Sequence, residues 1–202
     1  MIRTVIGSLA DATFASRYAE PLFRLRYRVF YERLHWDVRC RDEMETDEYD
    51  DTWTRYVVAV DDEDQVLGGW RLRPTIGNYM LADVFPQLLH GTPAPHHPRV
   101  WESNRFVVDK REAKDRGFGF NETALALFRA TCEFGIANGI DEYIMVLSAG
   151  VVRLTRGTGL IVDQFGPPVR IGDVLSVGCS IRVDAHSRHV LLGEPLPMEK
   201  AA

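Results

Sequence analysis

Residues able to take part in chemistry fall into five short stretches of the sequence. They are Arg26 and Phe30 followed by Trp36; the acidic run 43–50, which contains Asp47 and Asp50; Arg71; the hexapeptide 101–106, Trp-Glu-Ser-Asn-Arg-Phe; and the basic run of Lys110, Arg111, Lys114 and Arg116. Carboxylates can accept a proton or hold a cation, and arginines can hold carboxylates in place. An aromatic face near acids suits a sulfonium or ammonium group. The set therefore favours mutual ion pairs or a positively charged ligand.

Glu102 and Arg105 lie three residues apart in a predicted strand, 100–108. Residues at that spacing point to opposite faces, so the two cannot form a same-face ion pair unless the strand bulges. Each charge then needs a separate partner, because a buried unpaired charge is costly. Arg71 and the acidic run are the candidates. An ordinary cluster of charges on an edge strand would explain this motif equally well.

No metal or cofactor site is predicted. The acidic run lacks the regular spacing of oxygen ligands found in calcium-binding loops. Cys40, Cys132 and Cys179 are isolated, which indicates neither a zinc site nor a disulfide framework. The glycine-rich phosphate-binding motifs are also absent from the sequence. A solvated acidic loop, and core positions for Phe30 and Trp36, remain open as alternatives.

The composition predicts one globular domain spanning residues 1–202. Hydrophobic residues make up 46% of the chain and charged residues 26%, as in soluble proteins. The net charge of −5 argues against nucleic acid as a partner. The sequence lacks a long apolar run, and its first residues are typical of a strand. We therefore expect no stable membrane insertion and a cytoplasmic location.

Hydrophobic periodicity and turn signals predict alternating strands and helices. Predicted helices cover about 17–34, 121–138 and 151–158, with a short helix or turn at 81–89. Predicted strands cover 2–6, 56–60, 66–72, 100–108, 143–147, 174–183 and 189–192, and a long loop covers 39–53. This order predicts an α/β fold, a single-domain three-layer α/β/α sandwich on a mixed sheet. Gly68 and Gly69, inside one strand, predict a bulge or a close approach by another group.

In order and spacing, these motifs resemble the acyl-homoserine-lactone synthases, the autoinducer synthases of bacterial quorum sensing. The resemblance covers nearly the whole chain and runs through 26–30, 36–38, 47–50, 69–75, 80–86 and 101–106. It implies an acetyltransferase-like (GNAT-like) fold. It also implies an enzyme that joins an acyl chain, delivered as a thioester, to the amino group of S-adenosylmethionine and releases the lactone and methylthioadenosine. S-adenosylmethionine is then a substrate, and no cofactor is implied.

The resemblance assigns roles to individual residues. The family's signature falls on Arg26, Phe30, Trp36, Asp47, Asp50, Arg71, Glu102 and Arg105. Glu102 is the expected base for the amine, directly or through a water, and Arg105, Arg71, Asp47 and Asp50 complete the catalytic set. S-adenosylmethionine is expected to be bound by Arg26, Phe30, Trp36, Phe106 and Val107. A backbone N–H within 106–108 is expected to meet the oxyanion.

The acyl chain is expected between the sheet and the helix that begins at Val151. Its predicted pocket is lined by Met80, Ser103, Met145, Leu147, Ser148, Val151 and Leu154. The two serines could bond an oxygen at C3 of the chain, but an unsubstituted, a 3-oxo and a 3-hydroxy chain all stay open, as does a core role for the large hydrophobic members. The resemblance makes acyl-carrier protein, which is strongly acidic, the expected donor. Its predicted dock is Lys110, Arg111, Lys114, Arg116, Arg153 and Arg156. A coenzyme A thioester stays open as the donor.

Two other classes of protein stay open. One is an N-acyltransferase of the same fold that uses acetyl-CoA and another amine acceptor. The segment 116–119, Arg-Gly-Phe-Gly, departs from the Q/R-x-x-G-x-G/A loop of such enzymes. The other is a non-enzymatic carrier of an amphipathic ligand, which would not need so many buried ion pairs.

Overall fold

A mixed sheet with helices on both faces forms the centre of the molecule, of which the computed structural model describes residues 1–109 and 120–196. Its strands are β1 (Arg3–Gly7), β4 (Arg55–Val60), β5 (Val66–Pro74), β6 (Val100–Val108), β7 (Glu142–Ser148), β8 (Asp163–Gln164), β9 (Val169–Ile171) and β10 (Val174–Arg182). A separate hairpin pairs β2 (Cys40–Arg41) with β3 (Met44–Glu45). The order is β1-β4-β5-β6-β7-β10-β8, with β9 beside β10. Strands β6 and β7 run parallel and the other pairs antiparallel, so the predicted mixed sheet is confirmed.

One face of the sheet is covered by an N-terminal helical layer. This layer consists of α1 (Ala12–Phe14), a π-helix (Ala15–Ala19), α2 (Glu20–Arg26) and a second π-helix (Tyr27–Arg33). The helix begins five residues earlier than predicted, because the Asp11 carboxylate accepts hydrogen bonds from the backbone N–H groups of Thr13 and Phe14. Further along the same face lie α3 (Met80–Asp83) and a 3₁₀ turn (Pro86–Leu89).

The opposite face carries α4 (Glu122–Ala137), α5 (Ala149–Gly157) and α6 (Ala185–Leu192). The predicted helix 121–138 is confirmed, and Asn121 caps it by accepting from the N–H of Ala124. A large apolar core lies between these helices and the sheet, with Trp70, Phe128 and Met145 among its members. Together the two helical layers and the sheet confirm the predicted three-layer sandwich.

The predicted strand 189–192 is wrong, because these residues form the end of α6. A capping box begins this helix: the Asp184 carboxylate accepts from the N–H of Ser187, and the Ser187 hydroxyl reaches the N–H of Asp184. The apolar triplet 190–192 is compatible with a strand or a helix, and the capping box at Asp184 makes this segment helical. The predicted loop 39–53 also contains the small β2–β3 hairpin.

Two irregularities in the sheet create the setting for the site. The β4–β5 and β5–β6 registers shift on either side of Gly68 and Gly69, and a Cβ at Gly69 would lie 2.8 Å from Leu22 Cδ1. The predicted bulge and close approach are therefore both present. Strand β6 pairs with β7 only from Val100 to Glu102, so the two strands part beyond Glu102.

Candidate active site

Arg26, at the end of α2, is completely buried and is neutralised by the acidic loop, residues 39–54. Its Nε donates to Glu45 Oε2 at 2.5 Å, and its two Nη atoms donate to Asp50 at 2.8 and 2.9 Å. The planar guanidinium thus binds the Asp50 carboxylate through two parallel hydrogen bonds. Burial opposes the charge on Arg26, but Asp50 and Glu45 outweigh it and raise the pKa of Arg26. Arg26 therefore ties the acidic loop to the helical layer.

Arg71 extends from β5 toward the same loop and is also fully buried. Both of its Nη atoms contact the Asp47 carboxylate, and Nη1 lies 3.0 Å from Asp50 Oδ1. Its Nε donates to Asn104 Oδ1 at 2.7 Å. Burial opposes ionisation of Asp50, but Arg26 and Arg71 together hold the pKa of that carboxyl well below its usual range. Asp50 is therefore ionised at neutral pH.

Arg105 occupies a bulge in β6, with a φ of 56° in the left-handed region. Its Nε donates to Glu45 Oε1 at 3.0 Å and its Nη2 donates to Asp47 Oδ2 at 2.8 Å. Its guanidinium carbon lies 5.6 Å from the centre of the Phe30 ring. The bulge thus turns Arg105 toward the acidic loop, which is one of the two partners that strand geometry predicts.

Glu102 is fully buried beneath the N-terminus of α3. Its carboxylate accepts from the backbone N–H of Met80 at 3.0 Å and of Leu81 at 2.6 Å, and from Asn104 Nδ2 at 2.6 Å. Burial raises the pKa of Glu102, although these donors and Arg71 oppose the rise. The expectation of direct pairing with Arg71 or the acidic run is wrong. The first turn of α3 supplies the partners instead, and Asn104 stands between Glu102 and Arg71.

Phe30 and Trp36 stack in parallel at the edge of the acidic loop. Their ring centres are 5.0 Å apart and their planes differ by 3°. Phe30 is a core residue, 2% exposed, whereas Trp36 is 38% exposed and presents a surface to solvent. Trp36 is therefore the aromatic side chain of this pair that a ligand can reach.

Phe106 and Val107 point to opposite faces of the sheet. Val107 is buried beneath the N-terminal helical layer. Phe106 packs against Trp70 and Phe128 on the α4 side, with ring centres 5.1 and 5.6 Å apart. Phe106 therefore lies on the other face of the sheet from Phe30.

An apolar cavity of about 40 Å³ lies between the sheet and the helices α4 and α6. Trp70, Met145 and Leu160 are among its walls, and Cys132 and Leu191 lie on the helical side. Of the seven residues predicted for the acyl pocket, Met145 lines this cavity. The cavity is on the opposite face from Arg71, because Trp70 and Arg71 are neighbours in β5.

The other predicted pocket residues are placed differently. Met80 lies on the acidic-loop face, where its Sδ is 3.2 Å from Arg71 Nη2, and it does not line this cavity. Leu147 packs half-buried against the core around the cavity, and Val151 and Leu154 lie half-buried on α5. Ser148 caps that helix by accepting from the N–H of Val151 at 3.3 Å.

Ser103 follows Glu102 in β6 and therefore faces the side of the sheet that holds the cavity. It is 3% exposed, and its Oγ is the one buried side-chain oxygen or nitrogen without a hydrogen-bond partner among residues 1–109 and 120–196. Buried hydroxyls normally have a hydrogen-bond partner, which sets Ser103 apart from the other buried polar side chains of the described residues.

The predicted basic dock is described only in part. Arg153 and Arg156 are both exposed on α5, and Arg156 Nη2 donates to the carbonyl of Val162 at 2.7 Å. The remaining members lie outside the described residues; they are Lys110, Arg111, Lys114 and Arg116. The segment 116–119 lies outside them as well.

Two residues of the site were missed by sequence reasoning. Glu45 is fully buried between Arg26 and Arg105, but nothing in the acidic run distinguishes it from its exposed neighbours. Asn104 bridges two charged groups, and the available signal was its position two residues after Glu102, on the same face of the strand.

Neither a metal centre nor a membrane span is found in the part of the chain that the structure describes. No group of three histidine, cysteine, aspartate or glutamate side chains there is arranged to hold a metal ion. None of its helices is long and apolar enough to cross a membrane.

The fold is that of the N-acyltransferases. An acyl-CoA N-acyltransferase from Pseudomonas aeruginosa superposes with a TM-score of 0.59 at 16% identity, covering 90% of this chain and 99% of that one. The AHL synthase LasI superposes with a TM-score of 0.85 at 34% identity, covering 99% of both chains. BjaI, a CoA-dependent acyl-homoserine lactone synthase solved with SAM and isopentyl-CoA, gives 0.83 at 28%, covering 96% and 90%.

Sequence comparison narrows this class to one family. The autoinducer synthase model matches residues 12–191. An acyl-homoserine-lactone synthase from Pseudomonas aeruginosa is 36% identical over 94% of both chains, and one from Aliivibrio fischeri is 37% identical over 87% of this chain and 84% of its own. The chain belongs to the autoinducer synthase family. It is an acyl-homoserine-lactone synthase, an acyltransferase whose substrates are S-adenosylmethionine and an acyl donor.

Proposed function

We propose that the two faces of the sheet bind the two substrates, S-adenosylmethionine beside the acidic loop and the acyl chain beside α4 and α6. The observation that carries this proposal is the end of β6–β7 pairing at Glu102. The buried ion pairs lie on one face and the apolar cavity on the other. A thioester placed where the strands part would be accessible from both faces.

On the acidic-loop face, the ligand brings a sulfonium and an ammonium group. Trp36 supplies an aromatic surface that attracts cations. Asp47 and Asp50, paired with Arg26, Arg71 and Arg105, hold the acidic loop in place beside it. Arg26 and Phe30 are buried, so they contact these side chains from the protein interior and do not face the ligand directly. In this arrangement Arg71 and Arg105 position the acids, and Val107 forms the floor. We assign Phe106 to the acyl side because it packs against the cavity residues Trp70 and Phe128.

Glu102 is the proposed base. The ammonium group must lose a proton before its nitrogen can attack, and a buried carboxylate with a raised pKa is suited to accept it, directly or through a water. The neutral nitrogen then bonds to the thioester carbon, and the thiol leaves with a proton. A backbone N–H within 106–108 would stabilise the oxyanion. The methionyl carboxylate next bonds to its own γ-carbon as the carbon–sulfur bond breaks, releasing methylthioadenosine and the lactone.

On the opposite face, the acyl chain enters the cavity past Met145. Leu147, Val151 and Leu154 would line its approach, with Ser148 at the start of α5. The unpartnered Ser103 hydroxyl supports a chain that carries an oxygen, which we place at C3.

Acyl-carrier protein is the proposed donor, in the cytoplasm. Arg153 and Arg156 are exposed on α5, which follows directly from β7. Positive charge at that place complements a strongly acidic carrier and would steer its approach. The basic run 110–116 lies outside the described residues, and we propose from its charge alone that it serves the same carrier. Replacing both Arg153 and Arg156 by glutamate should raise KM for an acyl-carrier-protein thioester much more than KM for S-adenosylmethionine.

The decisive assay measures methylthioadenosine and thiol release with S-adenosylmethionine and either acyl-carrier-protein or coenzyme A thioesters. We expect both products from the carrier-protein thioester, and faster turnover with it than with coenzyme A. Thiol without methylthioadenosine would identify another amine acceptor, and faster turnover with coenzyme A would overturn the choice of donor.

Mass spectrometry of the lactone would test the oxygen at C3, and an unsubstituted chain would remove that role from Ser103.

Glu102→Gln tests the proposed base. This variant should slow methylthioadenosine release by about 10²–10⁴-fold, because it cannot accept the ammonium proton. Urea unfolding should accompany the rate, because the new amide NH2 sets a donor against one of the N–H groups that Glu102 accepts from. Glu48→Gln, which neutralises an exposed acid of the acidic loop, should turn over normally. Near-normal turnover of Glu102→Gln would remove Glu102 from the mechanism.

A further inference from the structure

Asn104 lies between a buried cation and a buried anion. Arg71 and Asn104 are directly opposite each other in the β5–β6 ladder, and Glu102 is two residues earlier on the same face. Arg71 Nε donates to Asn104 Oδ1 at 2.7 Å, and Asn104 Nδ2 donates to Glu102 Oε2 at 2.6 Å. A carboxamide has an acceptor at one end and a donor at the other, so it suits this place in one orientation only. Flipping it would set donor against donor and oxygen against carboxylate.

The hydrogen bonds also distinguish the two oxygens of Glu102. Each carboxylate oxygen accepts about two hydrogen bonds. Oε2 accepts from the N–H of Met80 and from Asn104 Nδ2, so its positions are filled. Oε1 accepts from the N–H of Leu81 and, among the described residues, from no other donor. One acceptor position therefore remains on Glu102, and it belongs to Oε1.

We propose that Asn104 is a positioning residue that occupies Glu102 Oε2, couples it to Arg71, and leaves Oε1 as the atom that accepts the proton of the substrate amine. The proposal rests on the proposed role of Glu102 as the base. Without the Asn104 donor, Oε2 would compete with Oε1 for the proton. The charge on Glu102 would also lose its link to the guanidinium of Arg71.

The effect of Asn104 must be read against the other groups around Glu102. Arg71 and Arg73 face it from β5, Tyr79 from the residue before α3, and Tyr49 from the acidic loop. Asp83 acts on these two tyrosines. None of them changes in an Asn104 variant. A shift in the titration of Glu102 would therefore arise at residue 104: from the lost amide donor in an uncharged variant, and from the lost donor together with an added charge in Asn104→Asp.

Asn104→Asp tests the proposal with almost no change of shape. The new carboxylate keeps an oxygen for Arg71 but presents a second negative charge, and no donor, to Glu102. The acid limb of the kcat–pH profile should move to higher pH by about one unit, because adjacent carboxylates raise the pKa of the pair. Activity should recover toward the wild-type value above that limb, with KM for S-adenosylmethionine changed less than about twofold. Asn78→Asp, the same substitution on an exposed loop, should leave the limb in place.

A second variant and a direct measurement keep the test independent of activity. Asn104→Leu replaces the amide by a side chain of similar size and removes both hydrogen bonds. It should also move the acid limb of the kcat–pH profile to higher pH. A carbon-13 titration of the glutamate carboxyls should show the Glu102 signal moving with it in both variants. An unmoved Glu102 titration, or a rate loss equal at every pH, would overturn the proposal. Wild-type turnover in Glu102→Gln would overturn the role of Glu102 as the base. If Glu102→Gln is slow but the acid limb of Asn104→Asp does not move, only the positioning role of Asn104 is overturned.

Discussion

At the scale of single residues, Glu45 holds two arginines that come from different elements. It accepts from Arg26 of α2 and from Arg105 of β6, and it is fully buried. Glu45→Gln leaves one fully buried and one partly buried guanidinium group short of negative charge. Removing one partner of a buried pair costs about 3–5 kcal/mol, so we expect a loss near the lower figure in urea unfolding. Glu43→Gln, which breaks an exposed pair with Arg24, should cost less than about 1 kcal/mol. Equal losses in the two variants would contradict this prediction.

Asp50 gives the molecule a specific dependence on pH. Its pKa lies below the unfolded value of about 3.9, because Arg26 and Arg71 outweigh the effect of burial. Its ionised form therefore contributes full stability above about pH 4, and the contribution is lost as the pH falls toward the folded pKa. The difference in unfolding free energy between the wild type and Asp50→Asn should be largest near neutral pH and shrink below about pH 4. A difference that stays constant across this range would show that the negative charge of Asp50 does not contribute to stability. Asp173→Asn, at an exposed acid, serves as the control.

The residue types of the site were predictable, but most of their partners were not. A sequence shows that arginines and acids occur at Arg26, Arg71 and Asp50, and chemistry indicates that they will pair. Which acid meets which arginine depends on the bulge at Arg105 and on α3 folding over Glu102. Both arise from contacts between distant segments, which local patterns do not contain.

At the scale of elements, Gly69 in β5 lets the N-terminal helical layer approach the sheet. A Cβ at Gly69 would lie 2.8 Å from Leu22 Cδ1 and 2.9 Å from the carbonyl oxygen of Val57. Gly69→Ala should therefore destabilise the protein by about 1–3 kcal/mol, since the backbone oxygen cannot move aside easily. Gly77→Ala meets no atom within 4 Å and should be nearly neutral. Urea unfolding of both variants measures the contrast, and a neutral Gly69→Ala would mean that α2 shifts without cost.

Long periodic elements were predictable and short ones were not. The helix at 121–138 has several turns of apolar spacing and a capping Asn121, so periodicity and cap agree. The segment 185–192 offers eight residues, in which an apolar triplet fits a strand or a helix. There the capping box of Asp184 and Ser187 determines the structure. The π-helical stretches at 15–19 and 27–33 were also missed, because a local widening of the helix leaves no clear period in the sequence.

At the scale of the whole molecule, the sheet separates the two halves of the proposed site. Trp70 faces the apolar cavity, and its neighbour Arg71 faces the acidic loop. Substitutions on one face should therefore alter the binding of one substrate and leave the binding of the other unaffected. This separation follows from the alternation of side chains along a strand and does not depend on the identity of the acyl chain.

Two substitutions, one on each face, test this separation. Trp36→Ala should raise KM for S-adenosylmethionine about tenfold, equal to about 1.4 kcal/mol, with no change in the acyl length of the lactone. Cys132→Phe should fill the cavity and shorten the acyl chain, with KM for S-adenosylmethionine unchanged. Ala137→Phe adds the same ring to an exposed position of α4 and should change neither quantity. Mass spectrometry of the lactones and initial rates give the two readouts. If either substitution changed both properties, the two faces would not bind separate substrates, and the arrangement proposed for the site would be wrong.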